Sequence, residues 1–442
     1  MSEFKTPATE ADFDKNFAQI KPLMTANQAH FESSRCLFCY DAPCVTACPT
    51  GIDIPLFIKQ INSGNVNGAA RTIYESNYFG HACGKVCPTE VLCEGSCVYN
   101  HQGVPAIEIG RLQSFATDKA MRESMPIANL SGKIAGKVAI IGAGPAGISC
   151  ACELRSLGLD VDIFEAKALG SGLTVYGVAP YKITNEEALA EVEYLQKQFG
   201  FNIHYNHPIQ SSQDIEKLEK EYNAIFIGIG LGRTSSLGIA GEELPGVEGA
   251  VEFVEKLRMN KANEKVPARV IVLGAGNTAM DAASESARMG AGDVTLAYRR
   301  EKEAMGAYYF EYELAKSVGV KALFNVAPLR IVGNDKVEGV EFVLTRESNG
   351  KLESIAGSEF IMPADLVIKA TGQSKQREFL ALISGLQLDS KGNIIADAHS
   401  FQTGNSKYYA AGDAVSGGQE VVNAVANGKK AAKAIAKSIA GQ

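Results

Sequence analysis

The stretch KVAIIGAGPAGISCACELRSLG, residues 137–158, is the most informative part of this sequence for its architecture. A short apolar run, Val138–Ile141, ends at Gly142, and small residues then lead into a helix that runs to Gly158. A Gly-x-Gly-x-x-Gly pattern at such a strand-to-helix turn is typical of dinucleotide-binding domains. One glycine makes the turn, one admits a pyrophosphate, and one lets the helix and strand pack closely. We therefore predict a doubly wound domain whose helix N-terminus faces phosphates.

A carboxylate stands where such a domain needs one. The next apolar strand, Val161–Glu165, ends 23 residues after Gly142. An acid at this distance accepts hydrogen bonds from ribose hydroxyls. Together with Glu165, the predicted contacts of this first module are Gly142, Gly144, Pro145, Ala146 and Gly147.

The same order of elements recurs later in the chain. Val270–Leu273 leads into Gly274, a helix runs to Gly290, and the strand Val294–Tyr298 follows. Ala279 replaces the third glycine and is still small enough for close packing. The two fingerprints are 132 residues apart, which indicates two homologous modules rather than a short repeat array. Alternating strands and helices predict parallel sheets, so the fold class is α/β.

The second module lacks the acid. Tyr298 takes the position that Glu165 has in the first module, and Arg299 and Arg300 follow it. Arginines in place of the acid favour a 2′-phosphate and hence NADP. They also fit a solvated edge or a grip on the pyrophosphate of NAD. The predicted contacts of this module are Ala275, Gly276, Asn277, Thr278, Arg299, Arg300 and, after the apolar strand Asp365–Lys369, Ala370, Thr371 and Gly372.

A late strand completes the nucleotide-binding pattern. Residues 408–414, YYAAGDA, predict a strand that ends at Gly412 and Asp413, before a loop and a long helix at Val421–Ile439. Such a turn places Asp413 on a ribityl hydroxyl of a flavin, with the helix N-terminus near the flavin carbonyl. With two nucleotide modules in one chain, we expect FAD in the first and NAD(P)H in the second.

Eight of the ten cysteines lie between Cys36 and Cys97. Their runs are Cys36-x2-Cys39-x4-Cys44-x3-Cys48-Pro49 and Cys83-x3-Cys87-Pro88-x4-Cys93-x3-Cys97. The first resembles the ferredoxin ligand run, in which the cysteine before proline binds the other of two clusters. Zinc and redox disulfides are the alternatives, because C-x2-C pairs also hold zinc. We predict two [4Fe–4S] clusters held by interleaved thiols, and we expect Cys150 and Cys152 to be packing residues.

Composition argues against several functions. A net charge of −7 disfavours a nucleic-acid partner, because phosphate binding needs a basic face. No apolar run approaches the length of a membrane span, and the N-terminal MSEFKTPATE lacks the basic and apolar regions of a secretory signal. We therefore expect a cytoplasmic protein with no membrane attachment. None of the six histidines falls in a motif, and we predict no catalytic nucleophile, triad or general base.

The cysteine region resembles a known family. RCLFCYDAPCVTACPTGIDIP (residues 35–55) and CPTEVLCEG (residues 87–95) are similar to the N-terminal part of dihydropyrimidine dehydrogenase. In bacteria this part is a separate subunit that accepts electrons from the nicotinamide nucleotide. The resemblance covers nearly the whole chain and implies an N-terminal α-helical ferredoxin-like domain followed by two Rossmann-like domains. The glutamate synthase small subunit shares this architecture, but its second cysteine set is usually tighter, CPAPC-like, so the dehydrogenase is the closer match.

The resemblance also implies a ligand set for the clusters. One cluster takes Cys36, Cys39, Cys44 and Cys97. The other takes Cys48, Cys87, Cys93 and Gln113, from IGRLQSF, which leaves Cys83 as a bystander near the cluster. Replacing a thiolate by an amide alters the charge of a cluster and so its reduction potential. From the residues alone, an eight-cysteine set that includes Cys83 stays open.

For the nucleotides, the resemblance adds three positions and one departure. Gly172 and Leu173 stand near the family's usual Gly-Gly-Leu, and Lys182 takes a position commonly held by arginine. All three are expected to contact FAD. Gly306 occurs where NADPH-using relatives have a further arginine, so the choice between NADH and NADPH stays open.

The implied domains are an iron–sulfur domain at residues 1–130, an FAD domain at 131–262 and 373–442, and an NAD(P) domain at 263–372. The implied function is to pass electrons from NAD(P)H through FAD and two [4Fe–4S] clusters to an FMN-containing partner subunit, which reduces uracil or thymine to 5,6-dihydropyrimidines. The alternatives are a glutamate synthase small subunit and a non-catalytic scaffold. A standalone disulfide reductase is disfavoured, since no C-x-x-C or C-x4-C follows the first fingerprint.

Overall fold

The computed structural model describes residues 4–441. Residues 1–3, which begin the predicted iron–sulfur domain and the stretch tested for a secretory signal, lie outside the described residues, as does residue 442 at the end of the predicted FAD domain. The described chain divides into two compact units. The first unit holds residues 20–175, 182–231 and 375–441, and the second unit holds residues 4–19, 176–181 and 232–374.

The described part of the chain up to residue 136 is helical. Its helices are α1 (Glu10–Asn16), α2 (Ala26–Ser34), α3 (Pro43–Thr46), α4 (Ile54–Asn62), α5 (Val66–Ser76), α6 (Gly80–Val86) and α7 (Ile109–Arg122), with a 3-10 turn at Val98–Gln102. These helices agree with the α-helical N-terminal domain that the family resemblance implies. Asp53 starts α4 by accepting a hydrogen bond from the Leu56 N–H. The apolar spacing in α4 then buries Phe57 and Ile58 in one core with Leu112 of α7.

Strands and helices alternate after residue 136. The elements up to residue 231 are β1 (Lys137–Ile141), α8 (Pro145–Ser156), β2 (Asp160–Phe164), α9 (Leu173–Tyr176), α10 (Asn185–Phe199), β3 (Asn202–His204), α11 (Ser212–Glu221) and β4 (Ala224–Ile227). The elements of residues 232–374 are β5 (Val247–Gly249), α12 (Ala250–Asn260), β6 (Arg269–Leu273), α13 (Asn277–Arg288), β7 (Asp293–Tyr298), α14 (Tyr309–Ser317), β8 (Lys321–Phe324), β9 (Val326–Gly333), β10 (Val337–Ser348), β11 (Lys351–Ser354), β12 (Phe360–Pro363) and β13 (Leu366–Lys369), with 3-10 turns at Lys261–Asn263 and Lys302–Ala304. The last elements are α15 (Arg377–Leu380), β14 (Tyr408–Ala410), α16 (Asp413–Ser416) and α17 (Val421–Ala440).

The first unit contains a five-stranded parallel sheet in the order β14-β4-β1-β2-β3. The register pairs Ile141 of β1 with Phe164 of β2 and Ile227 of β4, so these strands end side by side. β14 lies next to β4, which brings the late strand predicted from YYAAGDA beside the first glycine loop. The long helix α17 packs on α8 so closely that a side chain at Gly428 would meet the Ala146 carbonyl.

The second unit contains a second five-stranded parallel sheet, in the order β5-β13-β6-β7-β8, and a four-stranded antiparallel sheet of β9, β10, β11 and β12. The two parallel sheets agree with the predicted α/β class. The antiparallel sheet is an addition that the strand–helix alternation did not predict. The alternation of buried and exposed residues in VEGVEFVLTRES, the sequence of β10, is the signal for it.

The limits of the two units differ from the predicted domains in two places. The sequence-based limits place residues 232–262 in the FAD domain, whereas β5 pairs with β13 of the second sheet, so this segment lies in the second unit. The same limits place residues 4–19 in the iron–sulfur domain, whereas Phe13 and Phe17 of this segment lie in the core around α13. The iron–sulfur region from residue 20 onward and the first nucleotide module form a single unit.

Among the helices of residues 4–441, none combines the length and the hydropathy that a membrane-spanning segment requires.

Candidate redox cofactor sites

The first glycine loop has the geometry that its sequence predicts. Gly142 follows β1 with a φ of 104°, and a side chain there would lie 2.5 Å from the Gly228 carbonyl. Gly144 is the N-cap of α8, and a side chain added there would meet no atom nearer than 4.0 Å. At Gly147 a side chain would lie 2.0 Å from the Gly142 carbonyl, so only glycine lets α8 approach the strand. The space in front of Gly144 is a cradle open to a pyrophosphate.

Glu165 is held at the rim of this loop. Its Oε2 accepts a hydrogen bond from the Ala143 N–H at 2.7 Å, and its Oε1 accepts one from the Lys167 N–H at 2.8 Å. A carboxylate has about four acceptor positions, so both oxygens keep capacity for ribose hydroxyls. The two backbone hydrogen bonds fix the side chain in the place where a ribose would follow the pyrophosphate.

Two more predicted segments meet the same loop. Gly412 has a φ of 73°, and a Cβ added there would lie 3.1 Å from the Ala146 Cβ. Asp413 follows Gly412 in the sequence. Burial raises the pKa of the Asp413 carboxyl, which accepts a hydrogen bond from the Gln419 N–H at 3.0 Å. Gly172 lies against Gly144, because an added side chain at Gly172 would be 3.0 Å from the Gly144 Cα. The structure thus brings these predicted residues of the first module together.

Two further predicted FAD contacts are placed less closely. Leu173 begins α9 directly after Gly172 and is 37% exposed, so it is available to a ligand. Lys182 is buried in the segment before α10. The contact of each with FAD stays a prediction.

The second glycine loop repeats the first with one difference. Gly274 has a φ of 141°, and a side chain there would lie 2.4 Å from the Ala370 carbonyl, which brings the strand end at Ala370 to the loop. An added side chain at Gly276 would meet nothing within 4 Å, so this loop also has an open cradle. Ala279, fully buried, takes the place of the third glycine. Asn277 is turned back into the protein, since its Oδ1 accepts a hydrogen bond from the Tyr308 N–H at 3.0 Å.

Arg299 and Arg300 are exposed at the carboxyl end of β7, next to the strand that carries Gly274. Their backbone is fixed: the Arg299 carbonyl accepts a hydrogen bond from the Thr345 hydroxyl at 2.8 Å, and the Arg300 carbonyl accepts one from the Asn325 N–H at 3.1 Å. Their guanidinium groups therefore extend from a rigid base at the end of the sheet where an adenosine ribose is expected. The remaining predicted contacts, Thr278, Thr371 and Gly372, are exposed at the same end of the sheet.

Four predicted cluster ligands surround one pocket. Cys36, Cys39, Cys44 and Cys97 line one pocket, together with apolar side chains such as Ile54 and Ile58 of α4. Burial raises the pKa of the Cys36 thiol, and it raises the pKa of the Cys44 thiol to about 12. Thiolates in such surroundings need a positive partner, which the iron of a cluster provides. The residues present therefore fit an iron–sulfur cluster.

A single metal ion fits this region less well. Within residues 4–441, no group of three or more His, Cys, Asp and Glu side chains is arranged to hold one metal ion. Zinc needs four ligands converging on one point at about 2.0–2.3 Å.

The remaining cysteines of the two runs form a second thiol group. The thiols of Cys83, Cys93 and Cys48 are the neighbours that raise the pKa of Cys87, with a hydrogen bond to Cys83 as the largest cause and burial as the next. Gln113, 6% exposed on α7, donates from its Nε2 to the Gly80 carbonyl at 2.6 Å. This hydrogen bond engages the amide nitrogen and not the amide oxygen. The fourth ligand of this group, Cys83 or Gln113, stays a prediction.

Sequence reasoning missed two residues near the second thiol group. Lys21 donates to the Thr89 hydroxyl at 2.7 Å and to the Cys87 carbonyl at 3.4 Å, which places a cation beside the cysteine–proline turn. Glu191 of α10 is fully buried against α6. Lys21 has no motif that would reveal it. Glu191 had a signal, because this acid shares the apolar face of α10 with Ala188 and Leu195.

Comparison with known families divides the chain in two. Residues 13–125 match the family model described as dihydropyrimidine dehydrogenase domain II, 4Fe-4S cluster. Residues 136–428 match the model described as pyridine nucleotide-disulphide oxidoreductase. The first match contains both cysteine runs, and the second contains both glycine loops.

Comparison with individual proteins extends over almost the full length. The chain is 36% identical to the glutamate synthase [NADPH] small chain of Escherichia coli K12, covering 95% of this chain and 93% of the relative. It is also 36% identical to the NAD-dependent dihydropyrimidine dehydrogenase subunit PreT of the same organism, covering 94% of this chain and 96% of the relative. The solved structure of Mycobacterium tuberculosis FprA in complex with NADPH matches with a TM-score of 0.56 and 19% identity, over 69% of this chain and 84% of that one, and shows the fold alone.

Proposed function

Because the chain belongs to the pyridine nucleotide-disulphide oxidoreductase family and carries at its N-terminal end a domain of the dihydropyrimidine dehydrogenase 4Fe-4S family, we propose that it is the electron-input subunit of a dihydropyrimidine dehydrogenase. The chain is an NAD(P)H-dependent oxidoreductase subunit that uses FAD and [4Fe–4S] clusters. Its proposed partner is an FMN-containing subunit that reduces uracil or thymine to the 5,6-dihydropyrimidine.

The observation that carries this proposal is the second cysteine run. CPTEVLC, residues 87–93, has the wide spacing of the dehydrogenase rather than the tight CPAPC-like spacing usual in glutamate synthase small subunits. The full-length similarity to a dihydropyrimidine dehydrogenase subunit supports the same assignment.

In this proposal the residues of the chain bind and orient the cofactors. The first glycine loop and Glu165 hold the pyrophosphate and ribose of FAD, and Asp413 orients its ribityl chain. The second glycine loop, with Arg299 and Arg300, holds the nicotinamide nucleotide. When bound, FAD exchanges two electrons with the nicotinamide and single electrons with the clusters. No side chain has to transfer a proton in this half-reaction.

Two clusters are proposed, with the ligand sets that the resemblance implies. The pocket of Cys36, Cys39, Cys44 and Cys97 holds one. Cys48, Cys87, Cys93 and the Gln113 amide oxygen hold the other, with Cys83 beside it. The Gln113 hydrogen bond to Gly80 supports this choice, because it engages the amide nitrogen and leaves the oxygen as the atom that could act as a ligand.

The isolated chain tests the proposal. Purified under anaerobic conditions, it should reduce an artificial dye with NADH or NADPH and leave uracil unchanged. Addition of the protein that co-purifies with it from native cells should restore uracil reduction. Uracil reduction by the isolated chain contradicts the proposed division of labour, and so does a co-purifying protein without FMN.

The small chain of glutamate synthase is the second candidate, favoured by an equal identity of 36% over 95% of this chain. In that case the co-purified complex would convert glutamine and 2-oxoglutarate to glutamate and leave uracil unchanged. Assay of one native complex with both sets of substrates decides between the two functions.

A further inference from the structure

Gln113 is one end of a chain of hydrogen bonds that runs through α6 to α10. Its Nε2 donates to the Gly80 carbonyl at 2.6 Å. The N–H of the same peptide group belongs to His81, and it donates to Glu191 Oε1 at 2.6 Å. One peptide group therefore joins the Gln113 amide on one side to the Glu191 carboxylate on the other.

The contacts of Glu191 fit an ionised carboxylate. Besides the His81 N–H, its Oε1 accepts the Tyr74 hydroxyl at 3.2 Å, and its Oε2 accepts the Ala82 N–H at 2.9 Å. Burial raises the pKa of this carboxyl. Three donors nevertheless face this carboxyl group. A protonated acid would use one of its acceptor positions to carry the proton, so the three donors favour the ionised form. Glu191 is fully buried, so water does not weaken these bonds.

Close packing of α6 against α7 supports this chain of hydrogen bonds, which we call the relay. Glycines at the contact let α6 and α7 approach each other, since a side chain at Gly84 would lie 2.7 Å from the Gly110 carbonyl, and one at Gly110 would lie 2.7 Å from the Gly84 carbonyl. At Gly80 an added side chain would lie 2.6 Å from Ile73. The close approach of the two helices keeps Gln113 of α7 within hydrogen-bond distance of the Gly80 carbonyl of α6.

We propose that Glu191 is a positioning residue for the second cluster, acting through the Gly80–His81 peptide on the amide of Gln113. The carboxylate polarises this peptide, which makes the Gly80 carbonyl a stronger acceptor for the Gln113 Nε2. The amide nitrogen is thereby held on the Gly80 carbonyl, which leaves the oxygen for the proposed ligand position, and the oxygen gains electron density. Hydrogen bonds and nearby charge are the means by which a protein sets a cluster potential.

This inference deepens the proposed function and rests on the ligand set proposed there. It assigns a role to α10. This helix belongs to the first nucleotide module, and its Glu191 contacts α6, the helix that carries Cys83. A buried carboxylate on a helix of the first nucleotide module thus tunes a redox centre of the iron–sulfur region.

The test is an anaerobic redox titration of the full-length holoprotein, followed by electron paramagnetic resonance (EPR). Glu191→Gln keeps the size of the side chain and removes its charge. We expect it to raise the midpoint potential of the second cluster and change its EPR line shape, while the first cluster keeps its wild-type potential. Tyr74→Phe removes a donor from the same Oε1, strengthens its bond to the His81 N–H, and should shift the potential of the second cluster downward by a smaller amount.

Glu153→Gln is the matched control. Glu153 is also a buried carboxylate of the first unit, on α8, and it binds the Tyr78 hydroxyl at 2.7 Å and lies within 4 Å of Lys429 and Lys433. The described contacts do not connect it to Gln113. Its loss should leave the EPR line shape of the second cluster unchanged.

The results separate two failures. An unchanged second cluster in Glu191→Gln, or an equal change in Glu191→Gln and Glu153→Gln, overturns the relay. Gln113→Leu tests the ligand set itself, and an unchanged second-cluster spectrum in that variant overturns the proposed ligand and the relay with it. An altered spectrum in Gln113→Leu beside a wild-type spectrum in Glu191→Gln rejects the relay alone.

Discussion

The ring of Phe17 stacks on the ring of Tyr181, with centroids 6.4 Å apart and planes 20° from parallel. Phe17 follows α1 near the start of the chain, whereas Tyr181 lies in residues 176–181, a short segment that belongs to the second unit. Both belong to the core around α13. Arg288 of the same helix lies over the Tyr181 ring at 4.6 Å and donates to the Asn16 carbonyl at 2.6 Å. The core of the second unit therefore includes side chains from residues 4–19 and 176–181, which lie outside its main segment, residues 232–374.

Truncation of Phe17 should destabilise the second unit. Phe17 is 4% exposed, and Phe→Ala at such a position costs about 3–5 kcal/mol of folding free energy. We expect Phe17→Ala to lower the thermal unfolding midpoint and to speed proteolysis within residues 232–374. Phe31→Ala, at a residue that is 68% exposed, is the control and should change neither. Equal effects of the two substitutions contradict the placement of residues 4–19 in this core.

Removal of the Glu165 carboxylate should weaken FAD binding. A hydrogen bond to a charged group contributes about 1.5–3 kcal/mol, so Glu165→Ala should raise the Kd for FAD at least tenfold. Titration of the deflavinated protein with FAD, followed by quenching of flavin fluorescence, measures this change. Asp160→Asn, at the exposed start of β2, the strand that Glu165 follows, should bind FAD as the wild type does. Wild-type affinity in Glu165→Ala rules out its contact with the ribose.

Removal of the two arginines should change nucleotide selectivity, whichever nucleotide the wild type prefers. NADPH has a 2′-phosphate for Arg299 and Arg300 to bind, and NADH has none. The double variant Arg299→Ala/Arg300→Ala should therefore lower the ratio of kcat/KM for NADPH to that for NADH by about tenfold or more. Dye reduction with each nucleotide gives the ratio. Arg330→Ala removes an arginine of the same unit that is already paired with Glu341, and it should leave the ratio unchanged. A ratio that does not fall in the double variant assigns these arginines to the solvated edge.

Loss of one thiol from the first pocket should remove one cluster and spare the other. Cys44→Ala should lower the iron and acid-labile sulfide per chain by about half, because each cluster needs its own four ligands. Chemical analysis of the anaerobically purified protein measures both elements. Cys150→Ala, a buried thiol of α8, serves as the control and should keep the full content. Full iron content in Cys44→Ala would place this residue outside the ligand set.

The sequence predicted the parts of the fold that depend on local geometry. Strand limits around Gly142 and Gly274 agree with the structure within a residue, because a positive φ and close backbone contacts leave glycine as the residue that fits. These features can be predicted because each demands a particular residue type at a particular spacing. The pocket lined by Cys36, Cys39, Cys44 and Cys97 agrees with the ligand set that the family resemblance implies, which the cysteine spacing alone left open.

Long-range packing could not be predicted from the sequence in the same way. The helix α1 shows its own start through the Thr9 capping box, but nothing in its sequence says which core receives Phe13 and Phe17. The segment at residues 232–262 has the same strand and helix character as both modules, so only the pairing of β5 with β13 assigns it. The Glu191 relay depends on a backbone peptide, which has no residue type of its own.

The placement of residues 4–19 has a practical consequence for recombining this protein with its relatives. A chimaera that exchanges the cysteine-bearing region by cutting at the first residue and near residue 130 also replaces the helix that fills the core of the second unit. A donor segment with a different aromatic pair would then leave a cavity in the core around α13, far along the sequence from either cut. A graft begun after residue 19 keeps the acceptor's own helix and transplants the cluster ligands intact.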